Sequence, residues 1–262
     1  MLHPLSDIQY LNPELTKRDV HVWTAFLNQS GSQFQILSKV LSQEEQRRAA
    51  RFRFERDMKR FIVGHGILRV LLGFYLNIES SRVRLSYGEK GKPTLADKWN
   101  TRIIHFNMSK SDDLALYAFT RDHEIGIDVE RMRDIPEMDR IVERFFSVRE
   151  NASFKTLPED QKREGFFNCW TRKEAFLKAT GDGLFYPLER FVVSLRPGEK
   201  TRILSINGDE KAGLKWLLKE LKPAPGFVAA VAVLGQNLRF RFFQFDANNH
   251  YGSIQRNEVP KY

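Results

Sequence analysis

Apolar and polar positions alternate with period two over residues 19–27 (DVHVWTAFL), which predicts a strand. A serine- and glutamine-bearing stretch follows and reads as a loop. Ser42 opens SQEE, a serine with Glu45 three residues on, the pattern of a capping box. From there Phe54, Met58, Phe61, His65, Leu68 and Leu72 recur at spacings of three and four, predicting one helix that ends at Gly73. Alternation over 82–87, 103–108, 114–120 and 124–130 predicts strands, with GEKGKP at 88–93 as a lysine-bearing loop. A short helix is expected over 135–146 and a longer one over 164–180, closed by Gly181 and Gly183. Further strands are expected at 191–195, 201–206, 214–219, 227–234 and 238–245. The first 18 residues read as an extended arm.

The elements fall into two halves that share text. Leu41-Ser42 with Glu45 is echoed by Phe146-Ser147 with Glu150, and each is followed by a long helix. The predicted fold is α+β: two similar lobes, each a long helix packed on a small, mostly antiparallel sheet, related by a pseudo-two-fold. The division expected is 1–121, 122–245 and a loose polar tail over 246–262. A cleft between lobes is then the default ligand site.

Composition narrows the classes. Hydrophobic residues make up 42% and include 21 Phe, enough for packed cores and against disorder. The 42 basic and 33 acidic residues leave a net charge of +9, which favours anionic partners without choosing among nucleic acid, membrane, a phosphate-rich cofactor or an acidic protein. The single cysteine, Cys169, rules out an intrachain disulfide or a thiolate cluster and reads as a small buried hydrophobe in FFNCW. No signal peptide and no 18-residue apolar run is seen, so a cytoplasmic setting is expected.

Four segments carry candidate chemistry. In GIDVE at 126–130, strand alternation points Asp128 and Glu130 to one face, where two carboxylates repel unless a cation such as Mg²⁺ lies between them; the plainer reading is a solvated strand edge. In WTRKEAFLK at 170–178, Glu174 and Lys178 stand four apart on one helical face, either a surface ion pair or a third carboxylate with a phosphate-facing lysine. FNMSKS at 106–111 sets hydroxyls and a lysine at a strand end that can cradle phosphate or merely end a strand. Arg47, Arg48, Arg51, Arg53, Arg56, Lys59, Arg60 and Arg69 form a basic stretch, a solvated face or a phosphate patch. Zinc-finger spacing, a GXXG clamp and an RRM signature are missing from the sequence, so nucleic acid is not expected as a partner.

Taken together, GIDVE followed some forty residues on by WTRKEAFLK, with GKP at 91–93, FNMSKS and RFFSVRE at 144–150, resembles the 4′-phosphopantetheinyl transferase superfamily, in its larger, pseudo-two-fold type acting on carrier proteins. The resemblance implies coenzyme A as donor, a serine of an acyl or peptidyl carrier protein as a transient acceptor partner, and Mg²⁺. It implies Asp128, Glu130 and Glu174 as metal ligands, Lys178 at the coenzyme diphosphate and Glu150 as the base for the acceptor serine. Ser109 and Lys110 are implied at the coenzyme phosphates, and Arg60, Lys92, Arg48 and Arg53 at the adenosine 3′-phosphate side. The N-terminal lobe would then carry the basic helix and phosphate contacts, the C-terminal lobe the metal ligands. Lys110 departs from the family pattern, which has histidine there; phosphate binding should survive while a histidine's pH dependence fades. Carrier docking is expected near 145–157, the chain is expected to act as a monomer, and no membrane contact is implied. Three rival readings are a basic nucleic-acid-binding protein, a relative that has lost its chemistry, and a different phosphate-transferring enzyme.

Overall fold

A computed structural model describes residues 14–88, 91–96, 103–183, 186–246 and 255–256. Its elements run as one plan stated twice. The first series is β1 (Asp19–Phe26), α1 (Gly31–Lys39), α2 (Gln43–Ala49), α3 (Glu55–Leu76), a hairpin of β2 (Leu85–Tyr87) and β3 (Pro93–Leu95), then β4 (Ile104–Ser111) and β5 (Leu114–Arg121). The second is β6 (Ile125–Arg131), α4 (Met138–Phe145), α5 (Val148–Lys155), α6 (Glu159–Thr180), a hairpin of β7 (Phe191–Val193) and β8 (Ile203–Ile206), a one-turn helix α7 (Glu210–Gly213), then β9 (Trp216–Leu221) and β10 (Phe227–Leu234). In the first series β5 lies between β1 and β4, and in the second β10 lies between β6 and β9, all antiparallel. β11 (Arg239–Gln244) stands outside the repeat, pairing parallel to β1, and β12 (Gln255–Arg256) pairs with β11.

Each lobe has its own core under its long helix, and a third cluster joins the sheets. Ile67, Leu68 and Leu72 of α3 pack on Trp23, Tyr117 and Phe119. Phe167, Phe176 and Leu177 of α6 pack on Val228, Ala230 and Phe191. Val20, Val22, Leu116, Ile127, Val129 and Val231 make an apolar layer where the faces of the two sheets meet. The α+β fold of two similar lobes is therefore present.

The shared text has a structural meaning. The capping box of α2 puts Glu45 in the interior, where its carboxylate takes Arg69 Nε at 2.5 Å and the Ser42 amide at 2.8 Å. The capping box of α5 does the same with Glu150, which takes Lys173 Nζ at 2.8 Å and the Ser147 amide at 2.8 Å. Arg69 and Lys173 each occupy the fifteenth position of a 22-residue helix. Three expectations are corrected here. The helix read from Ser42 to Leu72 is two helices, because 50–54 turns the chain between α2 and α3. α3 runs through Gly73 to Leu76 and closes on Asn77 in the left-handed region (φ 54°). The stretch read as a loop after β1 holds α1, opened by a Ser30–Gln33 box. Arg69, counted in the basic stretch, is buried. Of the expected arm, residues 1–13 lie outside the described residues, as do 89–90 of the lysine loop and most of the tail; Gln255 and Arg256 of that tail form β12.

β11 is fastened by charge as well as by its ladder. Asp19 is fully buried and meets Arg239 at 3.1 Å and Arg241 at 3.6 Å. Beside it His21 is also fully buried, its Nδ1 2.8 Å from the Tyr75 hydroxyl and its Nε2 without a hydrogen-bond partner. Burial pushes its imidazole down to about 4, with Asp19 opposing and Arg241 adding to the shift. A depressed histidine contributes stability in full above its unfolded pKa, and that contribution is lost as pH falls, because the unfolded chain protonates first. We therefore expect roughly 3 kcal/mol of stability to disappear between about pH 6.5 and pH 4. Urea unfolding across that window checks it, and His21→Gln should flatten the slope. We also expect Lys173→Met to cost about 3–5 kcal/mol, since it strands the buried Glu150 carboxylate; the same unfolding series reads it.

Candidate active site

The lobes meet edge to edge at β4 and β6, strands of different sheets. Side chains of β4 take the place of a backbone ladder there. The Ile127 amide donates to Asn107 Oδ1 at 2.9 Å, the Val129 amide to Ser109 Oγ at 3.4 Å and the Arg131 amide to Ser111 Oγ at 3.1 Å. Strand alternation makes this possible: Asn107, Ser109 and Ser111 face β6, while Phe106 and Met108 face the N-terminal core.

The same hydroxyls hold the acids of GIDVE. Ser109 Oγ donates to Asp128 Oδ1 at 2.9 Å, and Ser111 Oγ donates to Glu130 Oε2 at 2.8 Å. Lys178 comes from α6 and places Nζ 2.6 Å from Asp128 Oδ1 and 3.0 Å from Ser109 Oγ. It reaches them because α6 crosses β6 almost backbone on backbone at Gly126, where an added Cβ would lie 2.1 Å from the Ala175 carbonyl oxygen and 2.3 Å from the Ala179 nitrogen. Only glycine admits that approach.

Glu174 lies one turn before Lys178 and turns to the same side. Burial raises its carboxyl above the usual range, and the charges of Asp128 and Glu130 raise it further against Lys178. Glu130 is raised too, by burial and by Asp128, against the Ser111 hydrogen bond. Lys92 stands at the end of α6, donating to the Ala179 carbonyl at 2.8 Å and lying 3.4 Å from Glu124. The structure thus brings Ser109, Asp128, Glu130, Glu174 and Lys178 together at one seam, with Lys92 at its end.

The donor chemistry suits a hard cation. Asp128 Oδ2 is buried with no hydrogen-bond partner, and two neighbouring carboxyls resist ionising together. Among the described residues no three acidic, histidine or cysteine side chains are gathered closely enough to hold a metal as they stand. Instead the Lys178 ammonium occupies Asp128.

The remaining candidates lie apart from this cluster. Lys110 points to the opposite face of β4 from Ser109, its Nζ 6.0 Å from the Phe61 ring that Arg48 also covers at 5.4 Å. Arg60, Arg48 and Lys110 are near enough to feel one another's charge, though Arg60 is held by Asp113 at 2.8 Å. Arg53 lies over exposed Phe54 at 5.4 Å. Glu150, which the resemblance implies as the base, is 1% exposed, with Lys173 and the Ser147 amide on one oxygen and the Val193 amide on the other at 2.7 Å, so its carboxylate is engaged in the second core. Asn107 and Ser111, read in the sequence only as members of the FNMSKS segment, prove to be seam residues bonded to β6. Their signal is a row of small polar residues at every second position of a strand whose other face is apolar.

The structure is thus an α+β protein of two repeated lobes with a serine, a lysine and three acids gathered at their junction. Residues 26–121 match the family model described as 4′-phosphopantetheinyl transferase, N-terminal, and residues 124–232 that of the 4′-phosphopantetheinyl transferase superfamily. The chain is 40% identical over 234 residues to the 4′-phosphopantetheinyl transferase HetI of Nostoc sp. (strain PCC 7120), covering 89% of this chain and 95% of that one. It is 30% identical over 219 residues to the mouse L-aminoadipate-semialdehyde dehydrogenase-phosphopantetheinyl transferase, covering 78% and 70%. It is 32% identical over 155 residues to Sfp of Bacillus subtilis (strain 168), covering 59% and 66%. The chain belongs to the 4′-phosphopantetheinyl transferase superfamily and is an enzyme of that kind.

Gly126→Ala is expected to cost about 3 kcal/mol by overpacking and to abolish activity by moving α6 off β6. Thermal unfolding beside an activity assay checks both effects.

Proposed function

We propose that the chain transfers the 4′-phosphopantetheine arm of coenzyme A to a serine hydroxyl of an apo acyl or peptidyl carrier protein, releasing adenosine 3′,5′-bisphosphate. The observation that carries this reading is the meeting of buried Ser109 and Asp128 with half-buried Lys178, within electrostatic reach of Glu130 and Glu174, in a chain of this family. Asp128, Glu130 and Glu174 would hold Mg²⁺, which when bound polarises the diphosphate and offsets its charge. Lys178 turns from Asp128 to the diphosphate, where its ammonium stabilises the leaving oxygen. Ser109 and Lys92 flank the phosphates, and Arg48, Arg53, Arg60 and Lys110 serve the adenosine 3′-phosphate side.

The serine hydroxyl is a weak nucleophile and needs a base. With Glu150 engaged in the core, we assign that role to Glu174, which stands one turn before Lys178 on the face of α6 turned toward Asp128 and Glu130. As the serine oxygen bonds to the β-phosphorus its proton passes to Glu174. The bond from that phosphorus to the bridging oxygen breaks, and its electron pair leaves with the bisphosphate. The net charge of +9 fits a polyanionic donor and an acidic, transiently docked carrier. Among the described residues no helix is long and apolar enough to cross a membrane. We read the chain as a cytoplasmic monomer.

The test mixes the protein with coenzyme A, Mg²⁺ and apo carrier proteins and weighs the carriers. A gain of one phosphopantetheine on the carrier serine is expected; no gain on any of several carriers would overturn the reading. Glu174→Gln should lose about a hundredfold or more in rate while keeping its circular dichroism spectrum. Lys178→Met should take up Mn²⁺ at lower concentration without coenzyme A, since the competing ammonium is gone, and yet transfer more slowly. Titration monitored by electron paramagnetic resonance separates the two effects.

A further inference from the structure

We infer that Ser111 is a positioning residue for the transfer: it holds the Glu130 carboxylate beside Asp128 so that the seam presents both acids to one cation. The inference rests on the magnesium reading above. Ser111 Oγ accepts the Arg131 amide at 3.1 Å and gives its single proton to Glu130 Oε2 at 2.8 Å. A hydroxyl fixed as acceptor to a backbone amide has only that proton to place, so the direction of the second bond is set by the first. The pull on Glu130 from the other side is Arg133, whose guanidinium lies 3.9 Å from the same Oε2 and is 65% exposed. Without the hydroxyl, the glutamate side chain is free to follow Arg133 outward into water.

Asn107 provides the contrast. It makes the same kind of seam bond, to the Ile127 amide, but its Oδ1 is bonded to backbone rather than to an acid of the cluster. Ser109 repeats the Ser111 arrangement one step back, on Asp128, but also touches Lys178 and so cannot separate positioning from charge compensation. Ser111 is thus the place where an oriented second layer behind a metal ligand can be tested alone. Such partners typically govern affinity for the ion by about ten- to a hundredfold.

The experiment titrates Mn²⁺ into the full chain with coenzyme A and no carrier, so binding is read without turnover. Ser111→Ala is expected to raise the Mn²⁺ Kd about tenfold, and Ser111→Thr, which keeps the hydroxyl, to stay within about twofold of the wild type. Asn107→Ala should lower the Tm yet leave the Kd within about twofold. On a Glu130→Gln background, Ser111→Ala should change the Kd no further. Should Ser111→Ala fail to fold, Ser111→Cys, a far weaker donor, takes its place with the same expectation. Equal loss of affinity in the Asn107 and Ser111 variants, in step with Tm, would overturn the inference and leave the magnesium reading standing, as would an unchanged Kd in Ser111→Ala. No Mn²⁺ binding by the wild type would overturn the magnesium reading and the inference with it.

Discussion

The structure depends on an edge that has no backbone ladder. β4 and β6 belong to different sheets, and three β4 side chains supply the acceptors that a neighbouring strand would otherwise offer to Ile127, Val129 and Arg131. The Ile127 and Val129 amides are buried and have to be satisfied, so residues 107 and 109 are constrained to be short and polar, and Ser111 continues the row at the exposed end. Two of the three are hydroxyls that accept from an amide and donate to a carboxylate at once. The bond that closes one lobe on the other is therefore also the bond that aims Asp128 and Glu130.

The internal repeat explains why, among the described residues, the two lobes do not each carry such a cluster. Position for position, α3 and α6 share length and the buried cation that answers a capping-box glutamate. At the helix positions that carry Glu174 and Lys178 in α6, α3 has Val70 and Phe74, both packed against the N-terminal core. The edge of β1 that could have formed a second junction is taken by β11 instead. One copy of the plan kept its end for chemistry, and the other filled it with apolar packing and a strand.

Much of this was legible in the amino acids, and the exceptions have physical causes. GIDVE declared a strand with two acids on one face, and Glu174 with Lys178 declared a shared helical face; both are local periodicities, which sequence carries directly. The break between α2 and α3 was hidden because Phe54, Met58 and Phe61 continue a helical spacing straight after the turn. The setting of Glu150 was hidden for a different reason. A capping-box glutamate looks the same in sequence whether its carboxylate faces a cleft or a core, and only the third dimension brings Lys173 and the Val193 amide onto it. The echo at Glu45 carries the same pairing: a capping-box glutamate answered by a buried cation is repeated in both lobes, whereas Glu174 and Lys178 have no counterpart in α3. Basic charge misled likewise at Arg69, since a long cationic chain serves a buried anion as readily as a surface one.

The cluster at the seam is a charge balance centred on Lys178 and Asp128. Three acids are brought into a partly dry junction, and burial with mutual repulsion lifts Glu130 and Glu174. Lys178 supplies one positive charge, on Asp128, and leaves the other oxygen of that carboxylate without a partner. One ammonium cannot satisfy acids pointing from two strands of text, because it presents its protons from a single flexible stem. On the magnesium reading proposed above, a divalent ion would take several of these oxygens at once, and a diphosphate arriving with it would draw the lysine away. Filling the seam and redeploying Lys178 would then be a single exchange of partners, in which no charged group has to remain buried and unpaired.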